Sequence, residues 1–273
     1  MSEFSDCFLL IFAQLAVGGF FGLAVPPFRM LERGFYKSSA GVFVGCALLF
    51  VGGKIGLAVR AGGLTTGRAV ELGAWLAFCA AAGAYLASLW GDVGWRRARS
   101  YTAALGLGVV ALSVSAGFHR VGPAFSAVTI FYPLAVLAGA LALGAVATGM
   151  LLGHWYLIDL GLSLEPLQRL FRFFITVLVV QIAVYLLAIA VIGLGSPSGA
   201  AAVAELWTDH RLLLVARFVF GPLAALGLGW MIHRTLQIPQ TMAATGLFYI
   251  AILAVMVGEM LGRLILFRTS LPL

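Results

Sequence analysis

The sequence predicts an all-α fold, a polytopic bundle of about eight transmembrane helices, and three observations predict it. The chain of 273 residues is 62% hydrophobic, and only 10% of its residues are charged, against about 25% in soluble domains. Its apolar residues gather into eight runs, at about 7–27, 40–59, 70–91, 101–118, 128–156, 173–195, 212–234 and 241–267. Each is close to the ~20 residues that cross the hydrocarbon core as a helix. No alternating ten-residue pattern of a membrane β-barrel occurs. With 34 glycines and only loops between the runs, 1–273 reads as a single transmembrane helical domain.

A net charge of +7 would suggest nucleic acid in a soluble protein. Here the basic residues fall mainly in short loops, where they set topology, so nucleic acid is not an expected partner. Cys7, Cys46 and Cys79 form no pair at metal-ligand spacing, so no metal or iron–sulfur cluster is expected. Glu3 and Asp6 stand where a signal peptide would be basic, so none is expected to be cleaved.

Arg29, Arg33 and Lys37, then Arg96, Arg97 and Arg99, then Arg169 and Arg172, then Arg234 follow runs one, three, five and seven. The opposite loops carry fewer: Arg60 and Arg68, Arg120, Arg211 and Arg268. This asymmetry predicts both termini outside the cytoplasm, in a multi-pass protein of the cell's inner (cytoplasmic) membrane.

Run one carries Gln14 and run two Lys54, both toward the outer side. They read as a second polar pair at the level of the charges in runs seven and eight. Lys54 sits among glycines in Val51-Gly52-Gly53-Lys54-Ile55-Gly56, where a ligand could reach bare backbone; the plainer reading is a lysine snorkelling to headgroups. In runs three and four, Tyr85, Ser113 and Ser115 can bond neighbouring helices, and Trp75, Trp90, Trp95 and Tyr101 fit interfacial belts. The basic, aromatic block at 95–99 fits anionic headgroups of membrane lipids.

Run five ends in Gly153-His154-Trp155-Tyr156, which reads either as a second site for a quinone ring or as an aromatic belt with a histidine among headgroups. The segment 159–172 after it reads as a short amphipathic surface piece. Gln181 and Tyr185 stand at i and i+4 near the middle of run six, as pathway residues or as bonds to a neighbouring helix.

Runs seven and eight form a hairpin that turns at 236–240, where Pro239 interrupts the helix. Arg217 and Glu259 lie at equal distances from Ile238, so they are expected at one depth, and Arg263 follows Glu259 at i+4. Gly221, Ala225 and Gly229 on one helix, with Gly258 and Gly262 on the other, supply small-residue faces for close approach. The trio reads either as an ion pair that fixes register or as part of a substrate, proton or quinone pathway. Of the four histidines, His119 and His210 lie at one rim and His154 and His233 at the other. A single haem b between His154 and His233 is the arrangement left open; otherwise no haem held by this chain alone is expected.

Gly258-Glu259-Met260-Leu261-Gly262-Arg263, followed by Phe267, resembles the carboxy-terminal helix of membrane-anchor subunits of dimethyl-sulfoxide-reductase-type and polysulfide-reductase-type oxidoreductases. The resemblance covers about ten residues, helix count and topology. It implies a subunit that tethers an iron–sulfur subunit and a molybdopterin subunit and oxidises a quinol in the membrane without a metal of its own; a cytochrome subunit is the other partner expected. In that reading Glu259 takes the quinol proton, Arg217 and Arg263 tune it, and Lys54 or Gln14 holds the quinone head group. A transporter using the same buried charges and a purely structural anchor are the competing readings. Against a transporter, no inverted repeat or matched pair of broken helices is evident.

Overall fold

The structure is a computed structural model of the chain and describes residues 2–120, 128–159, 161–238 and 240–273, with backbone alone at Ser2 and Glu3. The chain breakers expected from sequence at Gly122-Pro123, between runs four and five, and at Pro239 lie outside the described residues. The helices are α1 (Ser2–Leu23), α2 (Arg33–Arg60), α3 (Thr66–Ser88), α4 (Gly94–Gly117), α5 (Phe131–Trp155) and α6 (Glu165–Gly195), then α7 (Pro197–Thr208), α8 (Arg211–Phe218), α9 (Ala224–Gln237) and α10 (Thr241–Thr269). A π-helical turn, Val219–Leu223, joins α8 to α9. Among the described residues no strand occurs, and eight helices, counting Arg211–Gln237 as one, are long and apolar enough to cross a membrane. The chain is an all-α, membrane-spanning bundle.

Local sequence explains several of the ends. Thr65 Oγ1 accepts from Arg68 N at 3.4 Å and starts α3. Gly62 and Gly63, with φ of +79° and +144°, make the turn before it, where a Cβ would be strained. Ser196 accepts from Gly199 N at 3.0 Å and Pro197 opens α7.

Three expectations need correction. The segment 159–172 does not hold a separate surface piece: from Glu165 on it is the first two turns of α6, with Leu167 and Leu170 buried and Glu165 paired with Arg169 at i+4. The apolar periodicity of run six simply continues through its charged start. Residues 197–208 form a helix in what was read as a connection, because Ser196-Pro197 begins a helix as readily as it ends one. Trp75 is not in an interfacial belt. Its ring is fully buried, 4.4 Å from Phe50 and 5.6 Å from Phe78, with Nε1 donating to Ser115 Oγ at 2.9 Å. A buried partner for the indole N–H removes its need for the interface.

The bundle has two groups of helices, α1–α4 and α5–α10, which meet chiefly where α1 crosses α5. That crossing is backbone on backbone. A Cβ on Gly18 would stand 1.7 Å from Ala140 O, and one on Gly144 would stand 1.9 Å from Gly18 C. Nothing larger than hydrogen fits, and α5, rich in alanine and glycine, is buried along most of its length. Helix α10 packs against α5, α9 and α1, which brings the last helix beside the first.

Candidate functional site

The π turn sets the geometry of the buried charges. Pro222 has no N–H to donate, and the wider turn around it carries Gly221 against Gly258, where a Cβ on Gly258 would lie 2.4 Å from Gly221 Cα. With the two backbones this close, Arg217 reaches across to α10. Its Nη2 donates to Glu259 Oε1 at 2.7 Å and to Tyr185 Oη at 2.6 Å, with the guanidinium 4.8 Å above the Tyr185 ring. The predicted common depth of Arg217 and Glu259 is therefore a direct ion pair.

Four further donors complete the carboxylate. Gln181 Nε2 and Tyr185 Oη donate to Oε1 at 2.6 and 3.1 Å, while Gln14 Nε2 donates to Oε2 at 3.0 Å. Arg263 Nη2 reaches Oε2 at 3.2 Å from the next turn of α10. Gly139 of α5 leaves the space, since a Cβ there would lie 1.9 Å from Glu259 Oε2. Glu259, Arg263, Gln14, Gln181, Arg217 and Tyr185 are all at least 98% buried. Five donors from α1, α6, α8 and α10 thus occupy both oxygens of one carboxylate. Chemically the arrangement is a lock: removing one partner from such a network strands buried charge, at about 3–5 kcal/mol.

Sequence reasoning brought Arg217, Arg263 and Gln14 to Glu259, but it left Gln181 and Tyr185 outside the candidate set. Their i, i+4 spacing at mid-span was the available signal. Lys54 does not join Gln14. Its Nζ stands 3.0 Å from Asp6 Oδ1 and 3.6 Å from Glu71 Oε1, so the expected pair is split between two sites. The lysine stem points to acids on its neighbours α1 and α3, which sequence reasoning had not weighed as partners.

Glu71 anchors this second site. It is buried, and Ser115 Oγ donates to its Oε1 at 2.6 Å while accepting from Trp75 Nε1. The signal for Glu71 was present: Lys54 and Glu71 lie at equal distances from the Gly62-Gly63 turn, as Arg217 and Glu259 do from theirs. Together Asp6, Lys54, Arg68, Glu71, Ser115 and His119 line a half-enclosed cavity of about 160 Å³. Leu57, Leu64, Phe118 and Phe267 supply its apolar wall. His119, just beyond α4, packs 4.1 Å from the Phe267 ring. Burial, then the charges of Lys54 and Arg263, push its imidazole down to about 4. At neutral pH it is uncharged and has a nitrogen lone pair to offer.

Phe118 also belongs to an apolar groove of about 600 Å³ on the face of α3 and α4, lined by Gly67, Val70, Val110 and Val114. The polar cavity and the groove thus meet at one half-exposed ring.

At the other end of the bundle the expected second site is divided. His154 is exposed. Trp155 packs toward α2, its ring 6.2 Å from Phe35. Tyr156 donates to Ser163 O at 2.5 Å, and burial pushes its phenol up to about 12. His233 stacks 5.8 Å from Phe171 of α6, with Nε2 3.1 Å from Gln237 Nε2. The two histidines have different neighbours. Among the described residues no group of three His, Cys, Asp or Glu side chains is placed to hold a metal, and Cys7, Cys46 and Cys79 form no disulfide. Comparison with family models, with curated proteins and with solved structures finds no match to the chain.

Proposed function

We propose that this bundle is a quinone-interacting membrane subunit of an electron-transfer oxidoreductase complex, and that it takes the quinone head group into the cavity of Lys54, Glu71 and His119. The observation that carries the reading is the meeting, at Phe118, of a small polar cavity with a larger, mainly apolar groove on the face of α3 and α4. An amphiphile with a flat polar ring and a hydrocarbon tail fits that pairing. The likeness of 258–263 to quinol-oxidising anchor subunits supports the class of substrate, although it set the site at Glu259.

Oxidation of a quinol releases two electrons and two protons. The electrons would pass to an iron–sulfur or cytochrome centre held by a partner subunit, and the protons need acceptors in this chain. Neutral His119 and the carboxylates of Glu71 and Asp6 are the bases lining the cavity, with Asp6 beside Lys54. The Lys54 ammonium donates to a ring oxygen. The basic-loop asymmetry supports an orientation with this end outside the cytoplasm. Glu259, with both oxygens engaged, holds the helices rather than the substrate.

The test is binding of a soluble quinone analogue to the purified chain in lipid nanodiscs. Lys54→Met and His119→Asn are each expected to weaken it about tenfold, a change of ~1.4 kcal/mol. Undiminished binding in both variants overturns the reading.

A further inference from the structure

The opposite end of the α1–α4 group holds a cavity of about 290 Å³ that the quinone reading does not use. Its walls are Pro26, Phe28, Tyr36, Tyr85 and Tyr101, and Arg97 of α4 enters among them. The aromatic walls are fixed. Tyr36 donates to Pro26 O at 3.0 Å, Tyr101 donates to Phe20 O at 2.5 Å, and the Tyr85 and Tyr101 rings lie 4.7 Å apart.

Arg97 is not satisfied by these neighbours. Its guanidinium lies 4.4 Å over the Phe28 ring, and Nη1 is buried with no hydrogen-bond partner among the described residues. Asp92, the acid nearest to it in sequence, is taken by Arg33 at 2.7 Å. The cavity therefore presents a cation and a free N–H without a counter-charge. A planar guanidinium is suited to a phosphoryl group, which accepts two parallel bonds.

The depth of the cavity narrows the ligand. Trp90 and Trp95, 65% and 59% exposed, ring this end of the bundle, as aromatic residues do at headgroup level. Arg96 and Arg99, over the Trp95 ring at 5.4 and 5.7 Å, add positive charge around the mouth. Leu23, Ala24, Pro26 and Pro27 give the cavity an apolar side. We infer that it is a binding site for the phosphodiester headgroup of an anionic phospholipid, with Arg97 as the phosphate ligand and the aromatic box around the glycerol.

The experiment uses the full chain, delipidated in detergent, and follows thermal unfolding and lipid retention by native mass spectrometry. Phosphatidylglycerol, phosphatidylcholine and inorganic phosphate are the probes. Phosphatidylglycerol is expected to stabilise and remain bound, at least about tenfold more tightly than to Arg97→Gln, whereas Arg99→Gln behaves as wild type. Ala98→Trp, at an exposed position on the cavity wall, keeps the charge and fills the space; it is expected to abolish retention, and it carries the test should Arg97→Gln fail to fold. Equal retention of phosphatidylglycerol by wild type, Arg97→Gln and Ala98→Trp overturns the inference, as does equal stabilisation by phosphatidylcholine. If inorganic phosphate matches phosphatidylglycerol through Arg97, the site recognises a free anion and the lipid assignment falls.

Discussion

Gln14 of α1 and Glu259 of α10 meet at 3.0 Å although 245 residues separate them. The contact closes the bundle, since Gln14 Nε2 also donates to Val136 O of α5 at 3.0 Å. A single amide thus ties the first, middle and last spans at one depth.

Glu259→Gln leaves Arg217 and Arg263 buried against a neutral amide, and is expected to cost about 3 kcal/mol or more of stability. Gln14→Leu, which deletes one donor to the carboxylate, is expected to cost about 1–3 kcal/mol. Thermal unfolding in nanodiscs measures both. An assembled Glu259→Gln complex is expected to keep quinone binding and quinol turnover; binding with lost turnover would return the proton to Glu259.

Gly144→Ala sets a methyl group against the backbone of Gly18, and Gly45→Ala meets nothing within 4 Å. The first is expected to lower stability by about 1–3 kcal/mol or to prevent assembly, and the second to leave it unchanged. Equal melting of the two variants would show that α1 and α5 part at little cost.

His119 gives the bundle a pH response of definite sign. Its folded value, about 4, lies below the ordinary 6.5, so the unfolded chain takes the proton first as pH falls. The contribution is complete above about 6.5 and is lost between there and 4, at a cost of roughly 1–3 kcal/mol for a partly exposed group. His119→Asn should flatten unfolding profiles across that window, and an unchanged slope in the variant would refute the assignment.

Reporter fusions after Arg33, Arg97, Arg169 and Ile238 are expected to report the cytoplasm, and fusions at both ends the other side. A cytoplasmic carboxy-terminal reporter would reverse the sidedness of both cavities.

The eight spans were legible because apolar runs of membrane length have few alternative folds. Counting from a turn also worked where the turn is short: it paired Arg217 with Glu259, and the same count about Gly62-Gly63 pairs Lys54 with Glu71. Contacts between helices distant in sequence were not legible in that way. Gln181 and Tyr185 share a face of α6, but only packing decides whose polar group they meet. Gly139 carries no side chain to mark it, yet its missing methyl group is the space that the Glu259 carboxylate occupies.

The π turn at 219–223 holds one residue more than an α-helical turn would, and it acts as a phase shifter within a single span. Gly221, inside it, faces α10, while Gly229, beyond it, faces Ile175 of α6. Each residue of an α-helix advances about 100° around the axis. Deleting one residue from this turn would leave a regular, equally apolar helix that still crosses the membrane. It would also turn Arg217 away from Glu259 or α9 away from α6, so the length of this span is held by its partners on both sides of the turn.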